Sequence, residues 1–232
     1  VAELYLDPLT AHQLIKAMRQ ASSTPVSPFT LLQLMSAQLE LRPLLTIKKA
    51  EYDKVEQTLM QWTSQLLISE PSTFDVEYDE FLRTIKTAMF FARWIEECSE
   101  DVLLKEFNVR PGELHAKKDR AMWLLYAAAE LARLLAFHAT EKEFHKLRFR
   151  VEYGVKEELF SLLRLKGVGR VRARRMYNNK IKDLGDVKKI DVSVLGQLLG
   201  TKIAVEIKKQ VGISVDEIPP TKRKGQMGLG KY

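Results

Sequence analysis

The sequence predicts an all-α protein. In successive segments apolar residues recur at three- and four-residue steps, the period of a helix with one buried face. No segment shows the sustained period-two alternation of a half-buried strand. Proline, glycine and serine clusters punctuate the periodic segments at intervals that suit helices joined by short loops. The reading is a helical bundle over residues 1–148, a small helix–hairpin–helix domain over 149–212, and a flexible basic tail over 213–232.

The elements follow in order. Residues 7–21 form a helix: Asp7 caps it, Pro8 suits its first turn, and Leu9, Leu14, Ile15 and Met18 mark its apolar face. Ser22 to Val26 is a loop, and Ser27-Pro28 opens a second helix carrying Leu31, Leu32, Leu34 and Met35. Pro43 interrupts the next segment. Lys48 to Ile68 is amphipathic through Tyr52, Val55, Leu59, Trp62 and Leu66, and Tyr78 to Cys98 through Phe81, Ile85, Met89, Phe90 and Trp94. Ser99 caps a short helix to Phe107, and Asn108 to Gly112 is a turn. Residues 113–140 read as the longest helix, with Leu114, Leu124, Leu125, Ala128, Leu131 and Leu135 as its core stripe. A second unit starts near Arg150. It holds helices at 156–165 and 170–178 around the turn Gly167-Val-Gly169, then short helices near 184–189, 191–199 and 201–211.

The 232 residues are 46% apolar and 29% charged, the composition of a globular protein, and no apolar run is long enough to span a membrane. The reading expects no signal peptide ahead of the first helical pattern. The start at Val1 predicts a fragment or a processed piece. A single cysteine, Cys98, excludes an internal disulfide and fits a cytoplasmic location. The net charge of +7 is uneven: residues 150–232 hold 19 Lys/Arg against 9 Asp/Glu, the rest 18 against 21. That asymmetry predicts a polyanion partner for the C-terminal part.

The charge concentrates between Leu159 and Lys182, where eight basic residues meet no acidic one. Within it the order apolar-x-Gly167-Val168-Gly169-Arg170-x-x-Ala173 is that of a helix–hairpin–helix. The glycines allow a sharp turn and close approach of a ligand, Val168 plugs the gap between helices, and the N–H groups opening the second helix favour an anion. Ala173, Met176 and Tyr177 face Leu159, Leu162 and Leu163. Lys166, Arg170, Arg172, Arg174 and Arg175 then meet phosphates, contacts that position a protein without reading sequence. The stretch Leu198 to Ala204 repeats the shape with Lys202 in place of the second glycine, as a packing pseudo-repeat. On the 113–140 helix, Trp123 stands near Lys117 and Arg120. That arrangement suits stacking of a base with its phosphates held by the cations, while periodicity alone favours a core tryptophan like Trp62 and Trp94.

Other chemistries fit less well. The four histidines and Cys98 show no metal-ligand spacing, and no catalytic constellation stands out. Gly225 to Lys231 imitates a phosphate loop in text, but Tyr232 follows where Ser or Thr belongs. Asp183, Asp186 and Asp191 follow the hairpin without the loop that a base-excising enzyme needs. Gln226, Leu229 and Tyr232 have the spacing of a sliding-clamp-binding peptide that stops after one aromatic, within what also reads as a plain basic tail.

Several stretches together resemble the C-terminal third of the archaeal Hjm helicases, superfamily-two DNA helicases related to helicase Q and the helicase part of polymerase theta. They are Tyr5 to Ala11, Arg42 to Leu44, residues 78–94, Val151 to Leu159, and Gly167 to Asn178. The resemblance spans 1–212 in order. It implies a seven-helix "ratchet" bundle that closes a ring around single-stranded DNA with the motor domains of the same polypeptide, followed by the small hairpin domain at the strand's exit. It further implies ATP and Mg in the parent helicase and none in this chain, unwinding from 3′ to 5′ at stalled forks in repair and recombination, and single-stranded and forked DNA as partners. Trp123 matches the family's strand-stacking tryptophan, while the arginine two turns earlier falls here on Ala116. The rival expectation is a stand-alone hairpin module that binds DNA or recruits partners.

Overall fold

A computed structural model of the chain describes residues 2–21 and 26–213. Among them are twelve α-helices and no strand, as predicted. They divide into two units, 1–157 and 158–232.

The first unit is built on seven helices. Helix α1 (Pro8–Ala21) begins with Asp7 accepting from the Leu9 N–H at 2.8 Å. Helix α2 (Pro28–Ser36) opens with Ser27 accepting from Thr30 N at 3.1 Å, and every residue from Phe29 to Ser36 is buried. Its buried Gln33 donates its amide nitrogen to Thr84 Oγ1 at 3.1 Å. Helix α3 (Tyr52–Trp62) is shorter than the predicted 48–68 and is flanked by single turns of 3₁₀ helix; Trp62 stacks on Phe29 with centroids 4.8 Å apart. Helix α4 (Tyr78–Ile95) runs through the core, and Trp94 Nε1 donates to Val151 O at 2.7 Å. Helix α5 (Glu100–Phe107) starts at Ser99, whose side chain makes no cap bond.

The predicted 113–140 helix is two helices. Helix α6 (Pro111–Leu134) begins at the proline, which suits a first helical position, and α7 (His138–Tyr153) packs back along it. The break is a Schellman closure: the Phe137 N–H bonds Ala132 O at 2.8 Å, the Ala136 N–H bonds Arg133 O at 3.2 Å, and Ala136 takes φ 62°. Leu135, expected in the core stripe, is therefore 44% exposed. Because α7 continues to Tyr153 and ends at Gly154 (φ 64°), the division between units lies at 157/158, not at 148/149.

A strap without regular structure, residues 42–48, crosses the bundle after the cis Arg42–Pro43 bond. Side chains from two helices hold its backbone. Arg120 donates to Arg42 O, Lys117 to Pro43 O, and Lys86 to Thr46 O at 2.6 Å, while Thr87 Oγ1 accepts from Leu45 N at 3.1 Å. Lys86 also pairs with Glu51 at 2.7 Å. Burial tends to raise the Glu51 carboxyl, but the Lys86 and Lys48 contacts outweigh it and hold it below its ordinary value.

The second unit contains α8 (Phe160–Leu163), α9 (Arg170–Asn178), α10 (Leu184–Lys189), α11 (Val192–Leu199) and α12 (Thr201–Gln210). Only four residues of the predicted 156–165 helix are α-helical, with a 3₁₀ turn before them. Asp183 caps α10 through Asp186 N at 2.9 Å, and Asp191 caps α11 through Ser193 N at 2.7 Å. These aspartates thus have structural work at helix starts. Lys208 is buried, its ammonium donating to Lys188 O at 3.0 Å and to Ile190 O. No described helix is long and apolar enough to cross a membrane. Gln226, Leu229, Tyr232 and the Gly225 to Lys231 run lie outside the described residues.

Candidate nucleic-acid interface

On α6 the buried stripe runs Leu114, Lys117, Ala121, Leu124, Ala128 and Leu131. Lys117 belongs to it. Its side chain is 3% exposed, and its ammonium bonds Pro43 O and lies 3.7 Å from Glu113. Burial pushes the ammonium below its ordinary pKa, with Glu113 opposing and nearby Arg120 adding to the shift. The expectation that Lys117 meets DNA phosphates is corrected: it is a core residue that fastens the strap.

A different row faces outward. Ala116 and Arg120 are exposed, and Trp123, seven and three residues on, shares their face. Trp123 is half-buried: part of it packs on the bundle core and part is open. This separates it from Trp94, which is 7% exposed. Arg120 is exposed but anchored, one guanidinium nitrogen on Arg42 O. A guanidinium has five donors, so that bond fixes its position and leaves others for an anion.

In the second unit the hairpin turn has the expected plug: Val168 is 5% exposed, and Ala173, Met176, Leu159 and Leu162 are all fully buried. Tyr177 is half-buried beneath two cations, Arg174 at 5.1 Å and Lys182 at 5.6 Å from the ring centroid. The two glycines differ. Gly167 has φ +82°, a left-handed conformation that favours glycine; Gly169 has φ −92° and ψ −179°, extended backbone open to any residue. Around both, a Cβ would meet open space, so backbone here is accessible to a large ligand.

The cations around the turn are more engaged than the sequence implies. Arg172 donates to Gly167 O at 2.7 Å, and Arg175 to Leu198 O at 3.0 Å. Arg174 pairs with Glu158 at 2.6 Å, so it is not the unattached phosphate ligand expected. The Lys166 N–H donates to Gln210 Oε1 at 2.7 Å, which leaves its ammonium exposed.

No group of three or more His, Cys, Asp or Glu side chains among the described residues could hold a metal ion. His138 and His145 are exposed and flank Glu141 at 3.3 and 3.9 Å.

A domain described as "Archaeal helicase, domain 4" matches residues 29–154, most of the first unit and more than half of the chain. The chain is 33% identical over 225 residues to the ATP-dependent DNA helicase Hel308 of Methanocella arvoryzae, covering 95% of this chain and 30% of that protein. It is 36% identical over 220 residues to the Hel308 of Caldivirga maquilingensis, covering 90% and 29%. The Pyrococcus abyssi Hel308 is 31% identical over 231 residues, covering 97% and 31%. The chain thus spans under a third of the length of these relatives, and the matches extend through the hairpin unit as well as the bundle. With an all-α bundle at residues 29–154 and a two-glycine hairpin after it, the chain belongs to the archaeal superfamily-two helicase family, as a C-terminal portion.

Proposed function

We propose that this chain is the strand-gripping part of an ATP-dependent 3′-to-5′ DNA helicase that acts at stalled replication forks. It holds single-stranded and forked DNA by backbone and base face, without reading sequence. The observation that carries this reading is the outward row Ala116–Arg120–Trp123. A half-open indole stands one helical turn from an anchored guanidinium, an arrangement suited to stacking a base and meeting its phosphate. Stacking tolerates every base, as a translocating protein requires.

The basic hairpin supplies a second, backbone-only contact. Open glycine backbone, the N–H groups that start α9, and the exposed Lys166, Arg172 and Arg175 suit a phosphate chain, while Arg170 is half-buried with one guanidinium nitrogen enclosed. ATP dependence is part of the relatives' names, and we place ATP and Mg chemistry in motor domains of the same polypeptide. No residue here is assigned to it.

The test is Trp123→Ala titrated with fluorescently labelled oligothymidylate. Binding weakens by about 1–3 kcal/mol, the range for one stacked base. Unchanged affinity in a folded variant refutes the stacking role.

A further inference from the structure

Beside the outward row of α6 lies an open cleft of about 750 Å³, lined by Arg42, Pro43, Thr46, Asp79, Glu80 and Arg83 among others. That volume falls in the range of small-ligand sites. The cleft and the row are joined through one bond, since Arg120 donates to the backbone oxygen of Arg42. A strand whose base rests on Trp123 and whose phosphate meets Arg120 therefore has the Arg42 strap as its next neighbour.

The cleft holds two cations, each paired to a carboxylate. Arg83 pairs with Asp79 at 2.7 Å within one helix, and Asp79 is fixed further by the Tyr52 hydroxyl at 2.7 Å. The Arg42–Glu80 pair is different. It bridges the strap and α4, its side chains are 48% and 46% exposed, and Glu80 makes no second ion pair among the described residues. A half-exposed pair of this kind contributes little and exchanges readily. A guanidinium offered a phosphate gains two parallel charge-assisted bonds in its place.

We infer that Arg42 is a phosphate-binding residue for the strand that passes Trp123, and that Glu80 is the counter-ion that strand displaces. The inference rests on the reading of the Arg120–Trp123 row as a strand-binding surface. Arg120 then has two tasks, touching the strand and setting the main chain from which Arg42 reaches. The cleft is neutral at rest and becomes cationic towards the strand when the pair opens.

The test titrates this chain with labelled oligothymidylate across a salt series. One phosphate contact on a single strand adds about 0.7 to the log–log salt slope. If counterion release alone drives the contact, Arg42→Gln weakens binding roughly eightfold at about 50 mM salt and roughly threefold at about 200 mM. Glu80→Gln acts in the opposite direction and tightens binding, because it frees Arg42 and removes a negative charge beside the phosphate. Arg42→Lys keeps the wild-type slope.

Opposite signs are the signature, since a purely structural pair would leave both variants less stable and the slope unchanged. If Arg42→Gln retains the wild-type slope, or Glu80→Gln binds no tighter, the inference is overturned. Should Arg42→Gln unfold, the Glu80→Gln result decides alone. Trp123→Ala in the same series separates the two claims. Loss of affinity there with an unchanged Arg42→Gln slope defeats only the role of Arg42; no loss defeats the strand-binding surface itself.

Discussion

Replacing Lys117 by methionine distinguishes a core fastener from a DNA ligand. The side chain is 3% exposed and its ammonium donates to Pro43 O, with Glu113 at 3.7 Å. A hydrogen bond from a charged group is worth about 1.5–3 kcal/mol. Methionine fills similar volume and removes the cost of burying a charge, which offsets part of that loss. Pro43 is exposed, so water can reach its freed carbonyl. The net expectation is a destabilisation of about 1–2 kcal/mol. For a domain of about 150 residues that lowers Tm by roughly 2–8 °C. The sign with pH follows from the lowered pKa. Between the depressed folded value and the ordinary 10.5, the unfolded chain binds more protons than the folded one, so native stability rises with pH there. Lys117→Met loses that rise. Thermal unfolding by circular dichroism, repeated from neutral to alkaline pH, reads both effects, and an oligothymidylate titration shows the wild-type salt slope. A slope smaller by about 0.7 with an unchanged Tm refutes the reasoning.

Two further substitutions test the backbone. Gly167→Ala costs about 1–2 kcal/mol because φ is +82°, whereas Gly169→Ala stays within about 0.5 kcal/mol; equal losses in urea unfolding would contradict the assignment. Ala136→Gly relieves a left-handed alanine at the end of α6, offset by glycine's greater freedom when unfolded, and raises stability by about 0.5–1 kcal/mol. A lower Tm would show that the closure at Phe137 does not need that relief.

Several helix starts carry a signal in the sequence that the ends of α4 and α6 lack, for a definite reason. Asp7-Pro8, Ser27-Pro28, Asp183 and Asp191 announce first turns with caps or a preset φ, and each lies at a helix start. Five ends close through left-handed residues at Glu97, Asn108, Ala136, Gly154 and Lys180. Only asparagine and glycine among these are types that signal such a closure. Hence α4 stops at Ile95 although the apolar pattern continues to Cys98, and α6 ends without a proline or glycine to mark it. The burial of Lys117 did have a signal. It falls in register with Leu114, Ala121, Leu124 and Ala128, so α6 periodicity placed it inside while its charge suggested otherwise. The role of Arg42 had none, because it depends on a strap whose path is set by side chains more than 30 residues away.

The same distinction governs the basic hairpin. Eight cations without an acid between Leu159 and Lys182 suggest many phosphate contacts. Among these cations, Arg172, Arg174 and Arg175 are held by partners of two kinds. Arg172 and Arg175 donate to carbonyl oxygens, which keeps their full charge and fixes each guanidinium with donors to spare. Arg174 pairs with Glu158, a carboxylate just outside the acid-free run, which cancels its charge at the surface. Counterion release depends on net charge brought to the phosphates, so Arg174 adds to a salt slope only where a phosphate displaces Glu158, while the carbonyl-held arginines add their share directly. Charge counted along the chain therefore overstates the grip, while arginines fixed before binding lose less freedom on meeting DNA. The fixed guanidiniums surround an open glycine turn, which matches a surface that follows a sugar–phosphate chain at any sequence.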